Sequence, residues 1–309
     1  MQREDVTIKP AFEERYRALL GERYEEFLKR SLTFLRRSVR INTLKAPRYT
    51  ILRQLEAQFT VEPVAWCPDG FFVEHAERRD IGNTTLHSLG LIYVQEAASM
   101  IPAMVLDPQP GERVLDMCAS PGSKTTHIAQ LMRNQGTLIA NDIRGDRIKS
   151  LGLNLQRCGV SNIIVTQGQG QFIKGEFDRI LVDAPCSGTG AIRKSLKTLL
   201  IWNPTMVSRL AKQQQALLAR AYAMLRPGGT LVYSTCSVEP EEDEGVVSHL
   251  LKSTDALLVP IKTPAGSSAI MSFGETTYHP DVKGCLRLWP QDHNTEGFFV
   301  ARLRKPDAS

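Results

Sequence analysis

The sequence lacks the features that mark membrane, secreted and metal-binding proteins. No apolar run in its 309 residues reaches the roughly 18 needed to span a bilayer. The charged start, Met1-Gln-Arg-Glu-Asp5, has no apolar core and does not read as a secretory signal. The six cysteines form no Cys-x-x-Cys pair, so neither a disulfide framework nor a zinc site is predicted. These absences predict a cytoplasmic protein with free thiols, no metal and no membrane contact. We also expect the protein to be monomeric.

Acidic residues are missing from two long stretches. Neither 27–55 nor 184–238 contains an Asp or Glu, although together they hold 15 of the 38 lysines and arginines. Positive charge segregated in this way indicates a polyanionic partner such as nucleic acid. The alternative is two solvated surfaces that bind nothing.

The first part of the chain predicts a small α+β unit. Its rhythm of strands and helices resembles part of an RRM-like fold, although the aromatic strand signature of that fold is missing. We expect an N-terminal RNA-binding unit over residues 1–90 and a second domain over 91–309. The predicted elements are helices at Ala11–Arg30 and Tyr49–Phe59, and strands at Ser38–Thr43, Val61–Trp66 and Phe71–Glu74.

From Arg113 the pattern changes to strand, loop and helix, which is typical of a parallel sheet with helices on both faces. The fold class expected is therefore α/β and Rossmann-like. A turn at Pro227-Gly-Gly should separate the longest helix from the fifth strand, Phe298–Leu303 should be an edge strand, and 262–296 should form surface loops. The main strands predicted are Arg113–Cys118, Thr137–Asp142, Asn162–Gln167, Phe177–Ala184 and Gly229–Cys236, with helices at Lys124–Met132, Arg144–Cys158, Pro204–Leu225 and Glu241–Leu251.

The loop after the first of these strands, Cys118-Ala-Ser-Pro-Gly-Ser-Lys124, has the small residues that let a backbone approach a ligand. It is not a phosphate-binding P-loop, because Ser123 separates Gly122 from Lys124, and it contains no G-x-G-x-x-G. The second strand ends in Asp142, which is placed to bind a ribose diol or else to cap the next helix. Together the two loops favour a nucleoside cofactor, and S-adenosylmethionine fits better than NAD because no dinucleotide fingerprint occurs.

Two cysteines follow neighbouring strands if the strand order is 3-2-1-4-5. Cys186 comes after Asp183-Ala-Pro, and Cys236 ends the fifth strand in Ser-Thr-Cys-Ser. Carbon 5 of a pyrimidine is a poor nucleophile, but addition of a thiolate to carbon 6 activates it toward a methyl donor. The two thiols therefore indicate covalent methylation of a pyrimidine ring. For Cys67, Cys158 and Cys285, burial as small apolar residues is the simpler interpretation.

Several segments in order along the chain resemble the Nop/Sun family of RNA 5-methylcytosine methyltransferases. They are Arg40-Ile-Asn-Thr-Leu-Lys45, His87–Ser99, Asp116–Thr125, Asp183-Ala-Pro-Cys-Ser-Gly188, Ser234-Thr-Cys-Ser237 and Gly297-Phe-Phe-Val-Ala301.

The resemblance implies a role for each matching position. Cys236 would be the nucleophile, Cys186 would assist release of the methylated RNA, and Asp183 would bind the cytosine edge. Gln169 stands where the family usually has an Asp near the adenine. The residues implied to hold S-adenosylmethionine are Cys118, Ala119, Ser120, Pro121, Gly122, Ser123, Lys124, Asp142, Arg147, Gln169 and Asp183.

The partner expected is RNA, held at its phosphates by the two acid-free stretches, with Trp66, Tyr93 or Trp202 available to stack a base or to pack in the core. The compact chain favours tRNA over rRNA. One alternative is an RNA-binding assembly factor with weak catalysis, which the intact cysteines and cofactor loop disfavour. Another is a methyltransferase that forms 5-methyluridine, which Asp183 disfavours because uridine has a carbonyl where cytidine has the amine.

Overall fold

The structure is a computed structural model that describes residues 7–77 and 80–308. No helix in this described part is both long enough and apolar enough to cross a membrane. The N-terminal unit begins with two helices that pack against the rest of the molecule, followed by a sheet with its own helices. Its elements are α1 Pro10–Leu20, α2 Tyr24–Ser31, β1 Ser38–Ile41, α3 Arg48–Glu56, β2 Thr60–Pro63, β3 Gly70–Glu74, α4 Thr85–Ser88 and β4 Ile92–Val94.

The N-terminal sheet has the antiparallel order β2-β3-β1-β4 of an RRM-like fold, of which the sequence indicated only a part. Helices α3 and α4 cover one face, where Val39 and Ile41 lie in an apolar core. The other face carries Arg40, which is fully buried against α6 of the next domain. Strand β4 lies beyond residue 90, so this sheet extends past the boundary expected from the sequence.

The rest of the chain forms a second, larger sheet with helices on both faces. Its helices are α5 Ile101–Leu106, α6 Ser123–Leu131, α7 Gly145–Cys158, α8 Lys197–Ile201, α9 Pro204–Met224, α10 Glu244–Ser253 and α11 Pro290–His293. Its strands are β5 Arg113–Asp116, β6 Thr137–Asp142, β7 Ile163–Gln167, β8 Phe177–Asp183, β9 Leu225–Thr235, β10 Leu257–Leu258, β13 Leu286–Leu288 and β14 Phe298–Arg304, while β11 Ser272–Phe273 and β12 Thr276–Thr277 form a separate hairpin.

The strand order β7-β6-β5-β8-β9 confirms the 3-2-1-4-5 arrangement on which the pairing of the two thiols depended. These five strands are parallel, and β14 runs antiparallel beside β9. The carboxyl ends of the five parallel strands therefore meet at one edge, where ligands bind in open α/β sheets.

The expectation that Phe298–Leu303 is an edge strand is wrong, because β10 and β13 both pair with β14 on its outer side. Residues 262–296 are likewise not simple surface loops. They contribute β13 and the fully buried Arg287, which forms ion pairs of 2.9 Å with Asp243 and 2.5 Å with Glu244. Their burial comes from contacts with separate elements, which produce no periodic pattern in the sequence.

Two predicted boundaries also differ. The single helix expected over Ala11–Arg30 is broken at Gly21, whose φ of 55° favours glycine and ends α1. The Pro227-Gly-Gly segment does not precede β9 but lies inside it as a bulge. Phe177 pairs with Leu225 and Arg179 with Thr230, so four residues stand opposite Asp178 alone.

Candidate active site

A cavity of about 660 Å³ opens at the carboxyl edge of the large sheet; we call it the edge cavity. This volume is in the range of small-molecule and cofactor sites. Of the predicted site residues, only Gly122 does not line it. Those that do are Cys118, Ala119, Ser120, Pro121, Ser123, Lys124, Asp142, Arg147, Gln169, Asp183, Cys186 and Cys236.

Hydrogen bonds to its backbone fix the loop from Cys118 to Lys124 to β6 and α7. The Ala119 amide donates to the Asn141 carbonyl at 2.8 Å, and Arg147 donates to the Ser120 carbonyl at 2.5 Å. Gly122 has a φ of 105° immediately before α6, and a Cβ there would lie 3.0 Å from Leu151. Gly122 therefore lets the loop turn close to α7 and does not line the cavity.

Asp142 is buried at the end of β6, and hydrogen bonds hold both of its carboxylate oxygens in place. Oδ2 accepts from the Ser120 amide and Oδ1 from the Arg144 amide, each at 3.2 Å, and the guanidinium of Arg147 lies 3.6 Å from Oδ2. A carboxylate has further lone pairs, so Asp142 can still accept from the two hydroxyls of a ribose. The side-chain oxygen of Gln169, which follows the neighbouring strand β7, already accepts from Gln171 at 2.9 Å.

Two buried polar atoms beside the loop have no hydrogen-bond partner within 7–77 and 80–308. They are Oδ1 of Asp116 and the hydroxyl oxygen of Ser120, and both residues line the edge cavity. Burial raises the pKa of Asp116 to about 7, and a cationic ligand would restore its charge. S-adenosylmethionine carries an ammonium group and a ribose diol, so these donors and acceptors fit that cofactor. Among the described residues, no group of three or more His, Cys, Asp or Glu could hold a metal ion.

At the next strand end, Asp183 is held between two donors. Lys124 Nζ donates to its Oδ2 at 2.8 Å, and Ser234 Oγ donates to its Oδ1 at 2.8 Å. Burial opposes a charge on Lys124, but Asp183 raises its pKa overall, and Cys236 adds to the rise. A lysine cation therefore stands near both the carboxylate and the thiol expected to react.

The sulfur atoms of Cys186 and Cys236 are 3.4 Å apart, within hydrogen-bond distance. The bond to Cys236, together with burial, raises the pKa of Cys186 well above its usual value. Cys186 thus stays a thiol and can donate its S–H to the sulfur of Cys236. All six cysteines of the chain are free.

Sequence reasoning missed the residues that hold together the loops after β8 and β9, which carry the two cysteines. Glu242 accepts from the Ser187 amide at 2.9 Å and from Gln214 at 2.8 Å, and Gln214 also donates to the Pro185 carbonyl. Burial raises the pKa of Glu242 to about 7. No local pattern marks these residues, because Gln214 lies on α9 and Glu242 just before α10, and the packing of these two helices brings them together. Glu96, Lys194, Glu296 and Phe298 also line the cavity and were not predicted.

The aromatic residues expected near RNA lie in different environments. Tyr93 lines the edge cavity, whereas Trp202 is buried in an apolar cluster and donates to Glu239 at 2.7 Å. Trp66 donates to the Ala97 carbonyl and packs where the two domains meet. Of the three, only Tyr93 can contact a substrate in the cavity.

Acids from elsewhere in the fold neutralise part of the first acid-free stretch. Arg36 pairs with Glu62 at 2.6 Å, and Arg37 pairs with Asp80. In the second stretch, Arg193 holds the Thr295 carbonyl at 3.0 Å and Arg226 pairs with Asp178 at 2.7 Å. By contrast, Lys194, which lines the edge cavity, and Lys197 have no ion-pair partner in the described part of the chain. The basic surface is therefore smaller than the sequence indicates.

Residues 103–304 match the family model described as 16S rRNA methyltransferase RsmB/F, and residues 8–97 match that of the N-terminal domain of 16S rRNA methyltransferase RsmF. The chain belongs to the RsmB/F methyltransferase family. It is 44% identical to a tRNA (cytosine(49)-C(5))-methyltransferase of Pyrococcus abyssi, over 93% of this chain and 96% of that protein. A crystal structure of a methyltransferase homologue from Pyrococcus horikoshii superimposes with a TM-score of 0.89 at 38% identity, covering 98% of this chain and 97% of that one.

The chain is also 41% identical to the ribosomal RNA small subunit methyltransferase F of Escherichia coli, over 92% of its own length but only 60% of that enzyme. Family membership confirms the predicted Nop/Sun resemblance, the Rossmann-like fold and the enzyme class, an RNA (cytosine-5-)-methyltransferase. It also confirms S-adenosylmethionine as the methyl donor, in agreement with the groups that the edge cavity offers.

Proposed function

We propose that the chain methylates carbon 5 of a cytosine in tRNA, with Cys236 as the nucleophile and Cys186 as the group that assists release. The single observation that carries this proposal is the pair of sulfur atoms 3.4 Å apart in one cavity with the Lys124–Asp183 ion pair. The match to nearly the full length of a tRNA enzyme, against 60% of an rRNA enzyme, favours tRNA.

In this mechanism the thiolate of Cys236, having lost its proton to solvent, adds to carbon 6 of the cytosine. The 5,6 double bond breaks, and its electron pair becomes available at carbon 5 to form the bond to the methyl group. Asp183 binds the base at its amine edge, and Lys124 holds Asp183 in place. S-adenosylmethionine supplies the methyl group that carbon 5 receives. The proton on carbon 5 then leaves to solvent, its bonding pair re-forms the 5,6 double bond, and Cys236 departs as a thiolate.

Cys186 acts on the last of these steps. Its thiol, which burial and the contact with Cys236 keep protonated, donates to the departing sulfur and stabilises its negative charge. Loss of Cys186 should therefore slow release without preventing attack.

The test compares single and double cysteine variants incubated with RNA and S-adenosylmethionine. Cys186→Ala should accumulate a protein–RNA adduct that survives denaturing gel electrophoresis, because attack proceeds and release does not. Cys236→Ala and the double variant should form none. Cys158→Ala, a buried cysteine outside the edge cavity, should turn over like the unaltered enzyme. An adduct in Cys236→Ala but not in Cys186→Ala would reverse the two roles.

The substrate is tested separately with a tRNA transcript that has cytosine at position 49. We expect bisulfite sequencing to show methylation there, none when the base is changed to uracil, and none on 16S rRNA. Methylation of 16S rRNA alone would replace tRNA with the rRNA alternative.

We further propose that residues up to β4 form an RNA-binding unit and that the enzyme acts as a cytoplasmic monomer. Pairing of β4 with β1 supports this boundary. Both faces of the N-terminal sheet are covered, so its RNA contacts would lie on loops and edges. Light scattering on the purified protein with and without tRNA tests the monomeric state.

A further inference from the structure

Glu296 is a buried carboxylate with an unused acceptor in the edge cavity. Its residue is 3% exposed, and its Oε1 has no hydrogen-bond partner among residues 7–77 and 80–308. An unpartnered buried carboxylate oxygen is costly, so its retention in a ligand cavity indicates a missing donor. Neither the cofactor loop nor the cysteine chemistry uses this group.

The backbone fixes Glu296 next to Cys236. The Gly297 amide donates to the Gly190 carbonyl at 2.9 Å, and the Gly190 amide donates to the Cys236 carbonyl at 3.0 Å. A Cβ on Gly190 would lie 2.1 Å from the Gly297 carbonyl oxygen, so this close contact requires glycine. From Glu296 the edge runs through β14, β9, β8 and β5 to β6 and β7, which carry Asp142 and Gln169 at its other end.

Glu96, which follows β4, supports Glu296. It accepts from the Glu296 amide at 3.2 Å and from the Ser99 amide at 3.1 Å. Burial and the neighbouring Glu296 raise the pKa of Glu96 to about 8. Burial also raises the pKa of Glu296, while Lys194, Lys124 and Arg193 oppose that rise. The side chain of Glu96 thus has its own donors, and Oε1 of Glu296 is left to receive one from a ligand.

The chemistry of a nucleotide inside an RNA chain limits what that donor can be. The exocyclic amine of cytosine has two N–H donors: Asp183 accepts the one beside ring nitrogen 3 in the proposed function, and the other points toward carbon 5, where the methyl group arrives. Ring nitrogen 3 belongs to the edge that Asp183 binds, while the carbonyl oxygen and the phosphates are acceptors and would repel a carboxylate. Carbon 6, which Cys236 attacks, is bonded to the ring nitrogen that carries the ribose, so Glu296 beside Cys236 lies on the sugar side of the base. The 3′ oxygen is esterified, which leaves the 2′-hydroxyl as the donor on that side, and this hydroxyl also distinguishes RNA from DNA.

We propose that Glu296 selects ribose at the target nucleotide by accepting a hydrogen bond from its 2′-hydroxyl at Oε1. This inference rests on the proposed function, because it takes the base edge to be bound by Asp183. The ammonium group of the cofactor is a less suitable donor, because Asp116 offers it an unpartnered carboxylate oxygen next to the cofactor loop.

The experiment uses the full chain and two tRNAs assembled by ligation, one with cytidine and one with 2′-deoxycytidine at position 49. The unaltered enzyme should prefer the ribose substrate by about 10- to 100-fold in kcat/KM, as loss of a hydrogen bond to a charged group predicts. Glu296→Leu, which keeps the volume and removes the acceptor, should lose that preference through slower reaction of the ribose substrate. Glu296→Gln retains an acceptor and should keep part of it.

Glu275→Leu alters an exposed glutamate far from the cavity and should behave like the unaltered enzyme. If Glu296→Leu shows no turnover, the ratio of dissociation constants for the two tRNAs is measured in the Cys236→Ala background. An unchanged preference of Glu296→Leu for the ribose substrate overturns the inference. Weaker S-adenosylmethionine binding by the same variant, measured by calorimetry, also overturns it. Equal methylation of both tRNAs by the unaltered enzyme removes this inference alone, whereas methylation of neither removes the proposed function with it.

Discussion

The two sheets of this molecule use their polar residues in opposite ways. In the N-terminal sheet, the buried Arg40 donates to Gln95, Thr126 and Gln130, and helices cover the other face. In the large sheet, helices also cover both faces, but the carboxyl edge stays open and contains oxygens of Asp116, Ser120 and Glu296 that lack partners in the described chain. Arg40 in the first sheet thus connects the two domains, whereas the unpartnered oxygens at the edge of the second sheet can accept hydrogen bonds from ligands.

The comparison shows that charge alone does not mark the ligand sites of this protein. The most basic part of the sequence is partly satisfied by contacts within the protein, while the edge cavity is defined by acids and thiols. At that edge the acceptors without a partner in the described chain belong to Asp116, Ser120 and Glu296, none of which is basic.

The largest effect is expected on stability, when Arg40 is replaced. Arg40→Met should lower the free energy of unfolding by about 3 kcal/mol, because it leaves the buried oxygens of Gln95 and Gln130 without a donor. Urea unfolding measures this value. Arg53→Met, at an exposed arginine of α3, should change it by less than about 0.5 kcal/mol. Equal values for the two variants would show that Arg40 does not stabilise the domain contact.

Replacing Asp142 tests the cofactor end of the edge. Asp142→Ala should weaken S-adenosylmethionine binding by about 10- to 100-fold, since the ribose loses a charged acceptor. Isothermal calorimetry gives the affinity, and thermal unfolding checks that the variant is folded. Asp146→Ala, which removes an exposed carboxylate paired only with Arg144, should bind normally. Unchanged affinity in Asp142→Ala would remove this residue from the site.

The smallest expected effect concerns RNA affinity at different salt concentrations. Lys194→Gln and Lys197→Gln should each reduce the slope of log affinity against log salt by about 0.7–0.9, as for one lost phosphate contact. Arg36→Gln should change it much less, because Glu62 and Glu74 already neutralise this arginine. Filter binding from low to moderate salt measures all three. A larger effect of Arg36 would restore the N-terminal stretch as the main phosphate contact.

Much of the large domain could be predicted because its strands are continuous apolar runs followed by small or acidic residues. This local signal was enough to put Asp142, Asp183, Cys186 and Cys236 at the ends of strands β6, β8 and β9. The prediction failed where burial depends on distant partners. Arg287 is charged and lies in an aperiodic segment, yet Asp243 and Glu244 hold it in the core.

The sequence by itself determined the strand and loop order and provided the candidate reactive groups, because local periodicity and loop chemistry depend on neighbouring residues. The tertiary structure alone decided which polar groups are paired and which are left free. Arg36 meets Glu62 across 26 residues, and Glu96 meets the backbone of Glu296 across 200. Contacts at such separations depend on how the sheets and helices pack, which no local pattern encodes.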